Sequence, residues 1–317
     1  MSIKNKKISN GVKNNKLIVI LGPTASGKTD LAIKLARKYN GEVVSADSRQ
    51  VYKGMNIGTA KPLDLEGVPH WLLDIKNPSQ NYTAAEYKKD AVKAIKNIQK
   101  KGKLPILAGG TGLYIKAVVE NLNIPKVKTN LLLRQKIEKE IEKRGLDYVF
   151  KKLVKLDPEA AYIVDSKNPR RVVRALEVCR LTKKPFSKQR KAGKPLFDVL
   201  EIGISLPPEK LKEIINIRVY QMANQGLVGE VEKLVKKFGS GQQAFDAIGY
   251  REIINFLNPE KNGAAKKITL DKALENIKTN TWHFAKRQMT WFKKDKQINW
   301  IGNSEEAVRL IDKFVEK

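Results

Sequence analysis

Residues 22–29 read GPTASGKT, the G-x-x-x-x-G-K-[ST] spacing of a loop that cradles phosphate. Its chemistry is anion binding. Gly22 and Gly27 let the backbone wrap a phosphate, Lys28 adds a point charge, and the Thr29 hydroxyl suits a magnesium ion. Asp47 lies in the polar run Asp47-Ser48-Arg49-Gln50. In a P-loop fold a carboxylate there faces the bound phosphates, where it can hold magnesium through water or take a proton from a nucleophile. The plainer alternative is an Asx turn or a cap for the next helix. Gly109-Gly110-Thr111-Gly112 stands where a Walker-B acid is expected, and it contains no acid. That absence weakens an ordinary ATPase reading. Glycines here allow a ligand close to the backbone and the Thr111 hydroxyl can position it; a simple strand-to-helix turn is the other reading.

Three elements must present these groups. Apolar runs over 17–21, 42–45 and 104–108 each end in one of the polar clusters, and helical patterns follow over 30–39 and 84–101. Strands alternating with helices imply a parallel sheet covered on both faces, with ligands gathered at the strands' C-terminal ends. The fold expected is α/β: a P-loop parallel sheet flanked by helices, with an all-helical insertion. Residues 16–122 and 196–317 form the core domain, and 123–195 form the insertion. Within the insertion, 131–144 reads as a charged amphipathic helix ended by Gly145, with further helical stretches through 162–181. A strand over 196–206 returns the chain to the core. Helices are expected over 208–224, 229–238, 270–292 and 304–315, with a short strand at 298–301. Residues 1–15 read as a flexible basic tail without the apolar stretch of a secretory signal.

Charge points to the partner. Lys and Arg number 62 against 33 Asp and Glu, a net charge of +29, and such a field favours a polyanion such as nucleic acid. A lysine-rich proteome would raise the total too, so clustering matters more. Lys183, Lys184, Lys188, Arg190, Lys191 and Lys194 form a run with no acid. Just before it, Arg170, Arg171 and Arg174 fall within about 100° on a helix, opposite Val172, Ala175, Leu176 and Cys179. The arginines should point away from the core, and Cys179 should be a small buried hydrophobe. Residues 286–293 interleave Lys286, Arg287 and Lys293 with Trp291 and Phe292, a pattern for a backbone groove beside a stacking surface; the two aromatics are expected to pack inward. His70 and His283 lack partners at metal-ligand spacing. One cysteine rules out an intrachain disulfide and fits a reducing cytoplasm.

Taken in order, these segments resemble the bacterial tRNA dimethylallyltransferases, also called tRNA isopentenyltransferases. The resemblance rests on GPTASGKT, DSRQVY at 47–52, GMNIGTAKP at 54–62, PHWLLDI at 69–75, GGTGLY at 109–114, RALE at 174–177, IGYR at 248–251 and KRQMTW at 286–291. It covers nearly all of the chain after the tail. It implies transfer of a dimethylallyl group from its diphosphate to the exocyclic amine of the adenosine beside the tRNA anticodon. The P-loop would then grip a leaving diphosphate rather than ATP, which fits the missing acid. By that resemblance Asp47 is the general base and Thr111 helps hold it. Gly22, Thr24, Ala25, Ser26, Gly27, Lys28 and Thr29 bind the diphosphate with Mg2+ at Thr29, and Arg218 reaches it. The tRNA contacts fall on Asp47, Ser48, Arg49 and Gln50, on Arg170, Arg171 and Arg174, on 246–251 with Ile248, Gly249, Tyr250 and Arg251, and on Lys286, Arg287 and Lys293. The enzyme would be a cytoplasmic monomer.

Three other readings use the same loop. A small-molecule or nucleotide kinase leaves the arginine-bearing insertion and the missing acid unexplained. A nucleic-acid-binding NTPase gives Asp47 and Thr111 no task. A prenyltransferase acting on free adenylate has no need of the basic insertion.

Overall fold

The computed structural model describes residues 15–62, 64–125, 127, 130–189, 191–258 and 268–316. The basic tail expected over 1–15 lies outside them except for Asn15, as does Arg190 of the lysine-rich run. The described residues divide into two compact units, one running up to Val118 and resuming at Leu196, the other Val119–Pro195.

Six parallel strands organise the first unit: β1 (Lys16–Leu21), β2 (Gly41–Ser45), β3 (His70–Trp71), β4 (Leu104–Gly109), β5 (Asp198–Ile204) and β6 (Asn299–Ile301). Their order is β3-β2-β4-β1-β5-β6. β1, β2 and β4 are buried along their whole length, which is why they read as unbroken apolar runs rather than alternating ones. Leu21 pairs with Gly109 on one side and Gly203 on the other, and Ser45 pairs with Ala108. This register brings the C-terminal ends of the central strands into line. The loops bearing Thr24, Asp47 and Thr111 therefore leave the sheet at one edge.

Helices α1 (Lys28–Lys38), α2 (Ala84–Lys100) and α3 (Gly112–Val119) follow β1, β3 and β4. Thr83 and Glu86 close a capping box at the start of α2. α8 (Pro208–Asn224), α9 (Leu227–Phe238), α10 (Tyr250–Leu257), α11 (Leu270–Phe292) and α12 (Ser304–Glu316) complete the unit. One core joins Ile18, Ile20 and Ile106 to Leu35 and Ile311; another gathers Val51, Met55, Val231, Phe245, Tyr250 and Ile277.

The second unit packs α4 (Leu131–Arg144), α5 (Leu146–Leu156), α6 (Ala160–Ile163) and α7 (Pro169–Thr182) around Ile137, Leu153, Val172, Leu176 and Cys179. Glu177 is fully buried there and accepts from Arg134, Arg174 and the Asn130 amide. The helical stretches expected through 162–181 are α6 and α7. α6 stops at Ile163, and α7 starts afresh where the Asn168 side chain caps it and Pro169 sits in the first turn. Four elements carried too little pattern to be read: β3 has two residues, α3 opens on Gly112 itself, and α5 and α10 are short and open directly behind glycines. No helix among the described residues is long and apolar enough to cross a membrane.

Candidate active site

β1 feeds the phosphate loop into the N-terminus of α1. Gly27 is the N-cap, at φ 80, and no side chain caps the helix. The first-turn amides are thus left for an anion. Gly22 sits at φ 149, where a Cβ would stand 2.8 Å from the Ile204 carbonyl oxygen, so only glycine fits that turn. The buried Ser26 Oγ has no hydrogen-bond partner among the described residues, and its hydroxyl can donate to a phosphate oxygen. Lys28 Nζ donates to the Pro23 carbonyl. Burial pushes the Lys28 ammonium down to about 7, with Asp47 opposing that fall and Arg218 adding to it. A cavity of about 160 Å3 is lined by residues 24–30 together with Asp47, Gly110 and Arg218.

Beyond β2 the chain turns on Asp47, whose Oδ1 accepts from the Arg49 amide at 2.7 Å and the Gln50 amide at 3.3 Å. This is an Asx turn. The turn uses Oδ1, and Oδ2 has no hydrogen bond among the described residues. The turn and the chemical reading of Asp47 are therefore compatible. Thr111 ties the loops of β2 and β4 together: its amide donates to Ala46 O at 3.1 Å, and its Oγ1 accepts from the Ser48 amide at 3.0 Å. Gly109 lies so close to that turn that a Cβ would come within 2.3 Å of Ala46 O.

A second cavity, about 340 Å3, opens beside the first. Its polar side carries Thr24, Asp47, Thr111 and Arg218, and its apolar side carries Ile215, Val219, Met222, Ile248 and Ile277. Leu211, Ile215 and Val219 anchor α8 in the core, which turns Arg218 toward both cavities. Burial holds the Arg218 guanidinium below its ordinary value. The cleft thus pairs a cationic phosphate cradle with an apolar chamber, and one carboxylate borders both.

Residues 50–295 match the family model described as IPP transferase. The chain belongs to the IPP transferase family. It is similar to the tRNA dimethylallyltransferases of Carboxydothermus hydrogenoformans, 42% identical over 96% of each chain, and of Acetivibrio thermocellus, 44% identical over 92% of this chain and 93% of the other. Among solved structures it resembles the tRNA isopentenylpyrophosphate transferase of Bacillus halodurans, with a TM-score of 0.69, 36% identity and coverage of 95% and 96%. It also resembles a eukaryotic dimethylallyltransferase crystallised acting on tRNA, with a TM-score of 0.77, 28% identity and coverage of 95% and 80%. These likenesses favour the transferase over the kinase and NTPase readings.

Within this IPP transferase, the residues expected to meet tRNA separate into surface and interior. Ile248, Arg251 and Arg287 line the larger cavity, and Lys293 is exposed just past α11. Lys286 lies over the Trp282 ring at 5.5 Å. Arg49 instead donates to the carbonyls of Gln243 and Ala244, and Gln50 Nε2 to those of Thr59 and Ala60. Tyr250 is wholly buried, with its hydroxyl donating to Glu230 at 2.5 Å, so its side chain has no surface to offer an RNA. Gly249, at φ 97, is the turn that starts α10. In the second unit Arg170 and Arg171 are exposed, whereas Arg174 bonds Glu177 at 2.6 Å and the Val127 carbonyl at 3.0 Å. Cys179 is buried as expected, and burial pushes its thiol up. Of the two aromatics expected inside, Phe292 is buried, but Trp291 remains 37% exposed and lies over Gly112, where no Cβ would fit.

Gln288 went unnoticed in the sequence. Its Oε1 accepts from the Thr24 amide and its Nε2 donates to the Gly110 carbonyl, each at 2.8 Å, and it borders both cavities. It stands in KRQMTW between basic and aromatic neighbours, and an uncharged amide in a helix carries no periodic signal.

Proposed function

We propose that the chain transfers a dimethylallyl group from dimethylallyl diphosphate to the N6 amine of the adenosine at position 37 of tRNA, next to the anticodon, releasing diphosphate. The observation that carries this is the shared border of the two cavities, where Asp47 stands between the Lys28 cradle and an apolar wall. A diphosphate suits the cradle, and a five-carbon allyl unit suits Ile215, Val219 and Met222.

The adenine amine is a weak nucleophile because its lone pair is delocalised into the ring. The base must leave the stacked loop to reach the cleft. The allylic carbon–oxygen bond breaks as the carbon–nitrogen bond forms, the electron pair leaving with the diphosphate and the amine proton passing to Asp47. Lys28 and Arg218 stabilise charge on the departing oxygens. Thr29 and Asp47 border the smaller cavity and supply oxygen donors, the set that Mg2+ accepts alongside phosphate oxygens. Bound there, Mg2+ would neutralise part of the diphosphate charge. The insertion over 123–195, with Arg170 and Arg171 exposed, is the natural seat for tRNA phosphates. A monomer working in the cytoplasm completes this reading.

The test is label transfer from radioactive dimethylallyl diphosphate to unmodified tRNA, run beside an ATP hydrolysis assay. Label on the adenosine amine is expected. Hydrolysis of ATP without any transfer would sink the proposal.

A further inference from the structure

Glu230, half-buried on α9, borders neither cavity. Its carboxylate nevertheless accepts from three consecutive amides of another segment: Asn56 at 3.0 Å and Ile57 at 2.8 Å on Oε2, and Gly58 at 3.1 Å on Oε1. The Tyr250 hydroxyl adds a fourth donor at 2.5 Å. Successive amides converging on an anion form a nest, and here the protein's own acid fills it. Hydrogen bonds to an ionised acceptor are the stronger kind.

The held segment belongs to the site. Gly58, Thr59 and Ala60 line the larger cavity together with Asp47 and Thr111, and Thr59 and Ala60 also border the smaller one. The same segment is gripped from its carbonyl side, since Gln50 Nε2 donates to Thr59 O and Ala60 O at 3.3 Å each. Gly58 packs on the Tyr250 ring with no room for a Cβ, which would meet it at 2.5 Å. Ala60 is at φ 48, a conformation that an L residue keeps only when its surroundings impose it. Glu230 thus anchors the amides of a segment whose carbonyls anchor Gln50, the residue whose own amide donates to Asp47 Oδ1.

We propose that Glu230 is a positioning residue for group transfer, fixing residues 56–60 as the wall of the chamber that receives the acceptor base. This rests on the transferase reading above. A small displacement of such a wall costs turnover even when the chemistry is untouched, since misplacement by about 1 Å can cost on the order of a hundredfold.

Two variants test it. Glu230→Gln places an amide N–H2 among backbone donors, and Tyr250→Phe removes a single donor and keeps the ring under Gly58. Transfer to tRNA, pyrophosphate binding by calorimetry and amide hydrogen exchange are measured on wild type and both variants. For Glu230→Gln, kcat/KM for tRNA should fall roughly tenfold to a hundredfold while pyrophosphate affinity falls by less, since Lys28 and the loop amides are untouched. Exchange should quicken at residues 56–58, and Tyr250→Phe should shift everything the same way by less. Wild-type kcat/KM in both variants would overturn the proposal, as would unchanged exchange at residues 56–58 in Glu230→Gln. Failure of wild type itself to transfer would instead sink the underlying transferase reading, and the inference with it.

Discussion

Gln288 holds Thr24. Its Oε1 accepts the Thr24 amide at 2.8 Å while its Nε2 donates to Gly110 O, so one side chain from α11 joins the phosphate loop to the turn after β4. Both groups of the amide are spent, and the orientation is fixed. The loop proposed to grip the diphosphate is thereby tied to the turn that carries Thr111.

Gln288→Glu should expose that link. The carboxylate can still accept from Thr24 but cannot donate to Gly110, and it adds negative charge beside the phosphate cradle. The expected result is a KM for dimethylallyl diphosphate raised by about tenfold, the scale of one charge-assisted hydrogen bond. Steady-state kinetics with the diphosphate varied would check it; an unchanged KM would show that the bridge is dispensable.

Asp47→Asn separates the turn from the chemistry. The amide oxygen can keep accepting from Arg49 and Gln50, while the proposed general base is lost. Turnover should drop by about two to four orders of magnitude, the usual scale for such a group. Binding of tRNA, followed by fluorescence anisotropy, should be nearly intact. Full turnover would remove Asp47 from the proton transfer.

Lys28 is costly to the empty protein. Its pKa falls from 10.5 to about 7 on folding, so the unfolded chain binds more protons between those values and stability rises with pH across that window. Below about 7 both states carry the proton, and the full burden of burial applies. Lys28→Met should therefore melt higher than wild type at acidic pH, by about 2 °C for each kcal/mol relieved, and the gap should close toward pH 10. Pyrophosphate should stabilise wild type far more than the variant. Parallel melting curves at all pH values would refute the account.

Arg171 and Arg174 should answer differently. Arg171→Ala should flatten the salt dependence of tRNA binding by about one unit of slope without moving Tm. Arg174→Ala should cost roughly 1–3 kcal/mol of stability by undoing the bonds to Glu177 and Val127. Burial alone would raise the Glu177 carboxyl, but hydrogen bonds from Arg134, Arg174 and the Asn130 amide outweigh it and hold it below its ordinary value. That contribution is present above the unfolded pKa and fades as pH falls through the folded one. Melting curves and salt titrations together distinguish the two arginines, and identical responses would contradict this division.

The chain's own letters were enough to place GPTASGKT behind a strand, to set Asp47 and Thr111 at the same sheet edge, and to mark Pro208–Asn224 and Leu270–Phe292 as helices. Those are local facts: spacing sets backbone geometry, and apolar runs set burial. Arg218 was reached by resemblance alone, since nothing in its helix marks it, and packing of Ile215 and Val219 is what turns it toward the cleft. Whether Tyr250 meets solvent could not be read from IGYR, because it is decided by Glu230 on another helix. The acid that holds Arg174 stands in its own motif, Glu177 three positions on, but the burial of that acid is decided by the packing of α7. The bridge from Gln288 to Thr24 spans 264 positions. Only folding brings such groups within hydrogen-bond reach, and no local periodicity encodes a partner that far away.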